Sequence, residues 1–518
     1  MYAVAAAHPE AVRIGMEILE GGGDACDCTV AMSLALTVAE PFYSSLGGGG
    51  VTLIWRAKEE KAHFIDFSNE CSRHAESGMF PYDENGNHLN QAHNRGHHSI
   101  LVPGLMRGLE AINDDFGSRP WEVLFEPAIR LAEEGFPVGW FYQKHQMPKR
   151  FMEMRESYSE FVKIHTKNGQ PLGEGDLLRQ VDLAATLRHL AKSGAEDFYC
   201  GEFGAVLEKE IRKGGGLVDA EDMAAYQVRK SLPLEGTYRD ISYYTAPLPS
   251  SGLLLIQILN LLECLVYDWS DANEGERYVA FAKAMRSAFR DRFAVYGDSY
   301  HVSVPVEKLQ SKEYAERVAG DEGSSSPHQH DIEAGSTTHF TIVDREGNIA
   351  CHTQTLGAAW GSGVVIPGTG VLLNNHTNWM DPRPDFGNSI GPNRRPMAGY
   401  APSLFFEKGK PRLAIGSPGS YRIPTAIAQV FLNSHHRGMP LQDAVEAPRI
   451  HFDAGPLQME DDFSGDMAVA LSEDGFEIST HPPHEHYFGG VNAVEIHEDG
   501  SLSTGADPRR GCLGDVAG

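Results

Sequence analysis

Two β-type runs flank Arg345-Glu346-Gly347, and the first of them opens with Thr337-Thr338-His339 directly after a polar segment. A three-residue connection ending in glycine reads as a hairpin loop with the glycine in the left-handed position. Pairing Asp344 with Asn348 sets the register of the whole hairpin and carries Thr337 opposite Thr355 at its open end. The preceding residues, 318–336, are rich in Ser, Gly, Pro and His and show no hydrophobic period. That is the composition of a flexible linker, and it runs straight into the strand Thr338–Asp344.

A threonine hydroxyl is a weak nucleophile and needs a base. If the Ser336–Thr337 bond is cut, the freed α-amine of Thr337 supplies one, because its ordinary pKa of about 8 lets it accept a proton near neutral pH. Thr355 is then in place to hydrogen-bond the Thr337 side chain and hold its rotamer. Read locally, the same residues also make an ordinary strand edge with good β propensity.

A second constellation follows. Ala401–Glu407 and Pro411–Ile415 form another hairpin around Lys408-Gly409-Lys410, leading into Gly416-Ser417-Pro418-Gly419-Ser420-Tyr421-Arg422. A helix is expected from about Pro424 to Arg437, with Ile423, Ile427, Val430 and Phe431 as its apolar stripe. A glycine turn at a helix start aims backbone N–H groups at one point, which suits an anion or a developing oxyanion. By itself such a stretch is also simply a turn.

Upstream, Pro9–Glu20 has helical spacing and stops at Gly21-Gly22-Gly23, and Asp24 caps a second helix running to about Ala39. The Leu46–Gly50 glycines precede a strand at Val51–Trp55, so the chain begins as a layered α/β unit. Residues 104 to 300 read as mostly helical, punctuated by Leu248-Pro-Ser-Ser-Gly252. The apolar run Gly252–Tyr267 is broken by Gln257, Asn260 and Glu263, and reads as a buried helix rather than a membrane span.

A formal net charge of −27 argues against a nucleic-acid partner, since phosphate binding needs a basic face. The seven cysteines are scattered and odd in number, which points to a reducing compartment; Cys26 and Cys28 read as small buried side chains. The histidines at 97–98, 435–436 and 481–486 lack metal-ligand spacing, so no metal or other cofactor is expected. The opening MYAVAAAHPEAVRIG carries no basic or long apolar leader; a cytoplasmic protein, without membrane association, is expected.

Taken together, these residues resemble the γ-glutamyltranspeptidase family over nearly the whole chain. The similarity runs through Ala6-Ala7-His8-Pro9, Leu46–Gly50, Val102-Pro103-Gly104, Pro247–Gly252 and Thr337-Thr338-His339. It continues through Leu372–Asn375, Gly391–Pro396, Gly416–Arg422 and Ala506–Arg509. Each motif is weak alone; their order and spacing are strong.

The resemblance implies a four-layer αββα sandwich of the N-terminal nucleophile type, made as a precursor. The precursor would cut itself between Ser336 and Thr337 into a large chain, 1–336, and a small chain, 337–518, that stay together. A homodimer is left open. The resemblance makes Thr337 the nucleophile, Thr355 its support, and the N–H groups of Gly419 and Ser420 the oxyanion donors. Both of the last positions are typically glycine in the family.

The departures concentrate on the glutamyl grip. The aspartate that holds the substrate α-amine falls on Trp379, and the serine pair on Ala398 and Gly399. The asparagine past the second threonine becomes Gly357, and a glutamine becomes His376. The arginine for the α-carboxylate aligns near Ser77, with Arg73 close by. Exchanging charged or polar partners for Trp and Ala removes the matching recognition. The pattern resembles relatives that act on other amides, such as oxamate or acyl side chains. Arg394, Arg395 and Arg422 are candidates for a substrate carboxylate, or for structural ion pairs.

The expected activity is therefore a self-processing threonine amidohydrolase, with acyl transfer as an added possibility, acting on a small-molecule amide. Two alternatives remain: a glutathione hydrolase with a rebuilt grip, and a non-catalytic relative that serves as a binding protein.

Overall fold

A computed structural model describes residues 1–84, 86–143, 158–266, 269–270, 272–319 and 336–518. In chain order, the elements that build the central layers begin with β1 (Tyr2–Ala6), α1 (Pro9–Glu20), α2 (Ala25–Ala39), β2 (Gly49–Arg56) and β3 (Lys61–Phe67). Next come β4 (Arg229–Ser231), β5 (Leu234–Tyr238), β6 (Ile241–Thr245), α3 (Gly252–Leu265) and α4 (Glu274–Val295). The C-terminal third adds β7 (Ser336–Val343), β8 (Ile349–Gly357), β9 (Ser403–Glu407), β10 (Lys410–Gly416), α5 (Arg422–His435), β11 (Asn492–Ile496), β12 (Leu502–Ala506) and β13 (Leu513–Ala517).

Two sheets result. One has the order β13-β1-β7-β8-β2-β3-β4, the other β12-β11-β10-β9-β6-β5. Strand alternation sorts their side chains into three apolar layers. Val4, Phe340, Ile342 and Ala350 face the helices α1 and α2, against Val12, Met16, Met32 and Leu36. Ala3, Ala5, Leu53, Val343 and Cys351 meet Leu404, Phe406, Ala414 and Val494 between the sheets. Tyr243, Phe405, Leu413 and Ile415 pack on Leu255, Phe289 and Ile427 of α3, α4 and α5. This is the expected αββα order.

The local reasons are those of the sequence. Asp24 caps α2 through the N–H groups of Cys26 and Asp27, and Asp27 answers as the other half of a capping box. Every residue of α2 is buried, Cys26 and Cys28 included. The middle of the chain departs from expectation at β4, β5 and β6, three short strands inside a region that reads as helical. Of the linker expected over 318–336, residues 320–335 lie outside the described residues. Val318 ends the helix Lys312–Val318 and Ser336 begins β7.

Candidate active site

The hairpin β7–β8 forms in the expected register, Thr337 opposite Thr355. Gly347 takes the left-handed turn position with φ 80°. Asp344 locks the loop by accepting from the N–H of Asn348 at 2.9 Å and of Ala25 at 3.1 Å. At the open end the register slips, so that Ser336 pairs with Gly357. This bulge turns the Ser336 carbonyl toward the Thr355 hydroxyl, which donates to it. The Gly357 N–H donates to the same Thr355 oxygen at 3.0 Å. The expected partner of Thr355, the Thr337 hydroxyl, is instead buried with no hydrogen-bond partner.

The hairpin carries two histidines, His339 two residues beyond Thr337 and His352 opposite Phe340 on the other face, and neither is a free base. Burial pushes both His339 and His352 down to about 3. His339 is held by Thr353 and Thr341 at 2.8 and 3.1 Å. His352 is held by Thr52 at 2.8 Å and Gln354 at 2.7 Å. On the helix side of the hairpin, at the C-terminal end of α2, Glu40 is fully buried against the Thr338 side chain. Burial pushes its carboxyl up to about 7, opposed by Thr338 and Arg510, and its Oε2 has no hydrogen-bond partner.

The second constellation lies over the same hairpin. Gly416, the last residue of β10, has room for no side chain: a Cβ would stand 2.1 Å from the His339 ring. His339 shares a sheet face with Thr337, so the loop after Gly416 starts above the Thr337 side of the hairpin. Gly419 has φ 131° and Ser420 φ 55°. Their carbonyls accept from Arg422 and Ile423 at 3.2 and 3.1 Å. Their own N–H groups donate to nothing among the described residues.

Of the positions aligned with the family's glutamyl grip, Gly399 adjoins this loop. A Cβ on Gly399 would stand 2.1 Å from the Ser420 carbonyl. A Cβ on Gly357, φ 106°, would stand 2.3 Å from Asn375 Oδ1, which accepts from Ala358 N–H at 2.8 Å. The single turn His376–Trp379 follows. His376 lies edge-on to Trp379 at 4.5 Å, and Trp379 edge-on to Tyr400 at 6.0 Å, with Ala398 in the same cluster. Both ring nitrogens of His376, the indole N–H of Trp379 and the phenol of Tyr400 are buried without partners. Burial holds His376 down to about 3, so the ring is neutral. These neutral polar atoms suit hydrogen-bond acceptors and donors on an acyl group, and offer no counter-charge to an ammonium.

The remaining candidates sort by their partners. Arg73 is engaged by Asp219 in a bidentate pair at 2.7 and 2.8 Å, with Asp222 at 3.3 Å. Its guanidinium therefore ties two segments of the chain. Ser77 donates to the Ile390 carbonyl at 2.7 Å and borders a cavity of about 520 Å³ with Asp385 and Arg394. Arg395 is buried between Asp66 and Glu70, both at 3.1 Å. Asp381 is paired with Arg383 at 2.7 Å, so it is not a free acid beside Trp379. Arg422 is buried, with Nε on the Tyr487 carbonyl at 3.1 Å and Nη2 unpaired. Sequence reasoning missed Glu40, Asn375, Tyr400 and Arg510, whose neighbours are distant in the chain.

The sequence profile of the gamma-glutamyltranspeptidase family matches residues 11–514. The chain belongs to the γ-glutamyltranspeptidase family. It is 33% identical over 537 residues to a glutathione hydrolase proenzyme of Bacillus subtilis (strain 168), covering 98% of this chain and 90% of that one. An acylase ACY 1 proenzyme of Pseudomonas sp. (strain V22) is 33% identical over 512 residues, covering 96% and 90%. The crystal structure of a cephalosporin acylase from Bacillus halodurans superposes with a TM-score of 0.90 at 26% identity, covering 99% of this chain and 95% of that one. This member of the family is thus an N-terminal-nucleophile enzyme acting on amide bonds, and its named relatives are proenzymes. The αββα layers described above are the family fold.

Proposed function

We propose that this chain matures by cutting itself between Ser336 and Thr337, and that Thr337 then serves as the nucleophile of an amidase. In maturation the Thr337 hydroxyl adds to the Ser336 carbonyl carbon, the C–N bond breaks, and the nitrogen takes the hydroxyl proton. The resulting ester is hydrolysed by water, leaving chains 1–336 and 337–518. They stay together because β7 and β8 of the small chain lie between β1 and β2 of the large one.

In turnover the Thr337 α-amine takes the hydroxyl proton as the oxygen attacks the substrate carbonyl. The N–H groups of Gly419 and Ser420 bind the oxyanion. The amine then hands the proton to the leaving nitrogen, and water, or a second amine, releases the acyl group. One observation carries the reading: an unpaired, buried Thr337 hydroxyl beside a carbonyl already polarised by Thr355. The neutral, fully engaged His339 and His352 support the amine as the base. The unpaired polar atoms of His376, Trp379 and Tyr400 support an acyl group that lacks an α-ammonium. Seven free cysteines support a reducing, cytoplasmic setting.

The test is Thr337→Ala against Thr337→Ser. The alanine variant is expected uncut and inactive, and the serine variant cut and active. Wild-type turnover by Thr337→Ala contradicts the assignment.

A second reading, a glutathione hydrolase with a rebuilt grip, draws on the 33% identity to the glutathione hydrolase proenzyme of Bacillus subtilis. Release of aniline from a γ-glutamyl anilide at rates matching the best acyl amide would favour it.

A further inference from the structure

Among the described residues four buried arginines form no ion pair, Arg277, Arg292, Arg422 and Arg510. Arg277 rests on the Trp269 and Ala272 carbonyls and Arg292 on Ser251 Oγ, while Arg422 and Arg510 share one turn. Arg449 and Arg509 meet Asp507 and Glu460 at 2.7 and 2.6 Å, and Arg395 meets Asp66 and Glu70. Arg422 and Arg510 are as deeply buried, 5% and 3% exposed, yet neither forms an ion pair among the described residues. Both hang from the carbonyls of one short turn. Arg422 Nε donates to Tyr487 O at 3.1 Å, while Arg510 Nη2 and Nε donate to His486 O and Gly489 O at 3.2 and 3.3 Å. Each guanidinium also lies over a ring, Arg422 over Tyr487 at 4.4 Å and Arg510 over Tyr43 at 5.3 Å. That leaves Arg422 Nη2 and Arg510 Nη1 buried without an acceptor. Two acids act on the pair from a distance: Asp453, which leans on His451 at 3.5 Å, and Glu40.

An unpaired buried cation is among the most unfavourable arrangements a fold can hold. Two of them on one turn, fixed by rings and carbonyls and each keeping a free N–H edge, are complementary to a carboxylate. Position then says which half of a substrate they meet. The loop carrying Gly419 and Ser420 has Gly399 of the acyl-side cluster against the Ser420 carbonyl. On its other flank stands the turn whose carbonyls hold both guanidinium groups: a Cβ on Gly419 would be 3.0 Å from Gly489 Cα, and Gly490 N–H donates to Ser417 Oγ at 3.1 Å. The oxyanion loop thus separates the acyl cluster from the arginine pair.

We infer that Arg422 and Arg510 form a carboxylate site for the amine half of the substrate, so that the favoured substrates are N-acyl amino acids. The inference rests on the amidase reading above. In the reaction the acyl carbon–nitrogen bond breaks, the acyl group passes to Thr337 Oγ, and the amino acid leaves as a free amine with its carboxylate still on the arginines.

The test uses the matured protein and matched pairs, acyl-glycine against acyl-glycinamide, with glutaryl, oxalyl and phenylacetyl as acyl groups. For any acyl group that is turned over, kcat/KM is expected to favour the glycine form by roughly tenfold to a hundredfold, the range for hydrogen bonds to a charged group. Arg510→Gln is expected to collapse that ratio toward one, with the appearance of two bands showing that the variant still folds and matures. If Arg510→Gln fails to mature, the wild-type ratio still decides. Equal wild-type turnover of glycine and glycinamide forms overturns the carboxylate site. No turnover of any pair contradicts the amidase reading itself.

Discussion

The hydroxyl of Thr355 donates to the carbonyl oxygen of Ser336, the carbonyl one bond before Thr337. This donor stands where negative charge develops if the Thr337 hydroxyl attacks that carbonyl. Thr355 would therefore serve twice: on the Ser336 carbonyl during self-cleavage, and beside the Thr337 side chain afterwards. Removing one such donor slows acyl chemistry by roughly a hundredfold to a thousandfold. Thr355→Val is expected to slow the appearance of the two chains by that order, and Thr355→Ser to restore most of the rate. Time courses on denaturing gels measure both. Maturation of Thr355→Val at the wild-type rate contradicts this role.

The pH dependence follows from which groups are held neutral. With His339 and His352 pushed to about 3 by burial, neither contributes a step near its ordinary value. The Thr337 α-amine must lose its proton to act, so kcat/KM of the matured enzyme should rise with pH through about 8. A falling rate across that range would point to a different base.

Glu40 sets a separate, structural pH signal. Burial raises its folded-state pKa from 4.5 to about 7, opposed by the facing Thr338 and Arg510. A raised carboxyl pKa means that folding is penalised as pH climbs from the unfolded value through the folded one. Glu40→Gln is therefore expected to leave stability unchanged near pH 4. Above pH 7 it should raise stability by an amount of order 3 kcal/mol, at 1.36 kcal/mol per unit. Chemical denaturation at the two pH values reads the difference. Equal effects at both would show that the carboxyl is not the source.

Backbone geometry limits how the family's residues can be put back. Gly357 has φ 106° and only 2.3 Å between a Cβ and Asn375 Oδ1. Gly357→Asn, which restores the residue expected there in the family, should destabilise by about 2 kcal/mol or more rather than restore a glutamyl grip. Ser420 sits at φ 55°, where glycine carries no Cβ penalty. Ser420→Gly should keep turnover within about threefold and raise stability by up to ~1 kcal/mol. Thermal melts and initial rates check both variants.

How much of this was legible in the sequence depends on how local each signal is. The β7–β8 register follows from a three-residue loop with glycine, and the structure reproduces it from Val343 back to Thr337, slipping by one residue only at Ser336. The stop of α1 at Gly21 and the Asp24 cap of α2 are likewise local. The strands β4, β5 and β6 are short and their alternation is brief, so a helical surrounding masks them. Arg394, Arg395 and Arg422 look alike in sequence, because only the distant Asp66 and Glu70 reveal that Arg395 is engaged. Glu40 meets Thr338, and Tyr400 meets Trp379, only across the folded layers.

Trp379 should decide substrate preference. A substrate α-ammonium brought there would find an indole and a neutral His376 in place of a carboxylate. A cation–π contact offsets only about 1–2 kcal/mol of a desolvation penalty of several kcal/mol. Catalytic efficiency on a glutaryl amide is therefore expected to exceed that on the matching γ-glutamyl amide. The reverse order would place a compensating acid elsewhere.

The central claim is that Thr337 becomes a chain terminus, and terminal sequencing of the smaller band from active protein tests it most directly. The smaller chain is expected to begin Thr-Thr-His-Phe, with the larger chain ending at Ser336. A different first residue, or full activity from a single uncut chain, would contradict it.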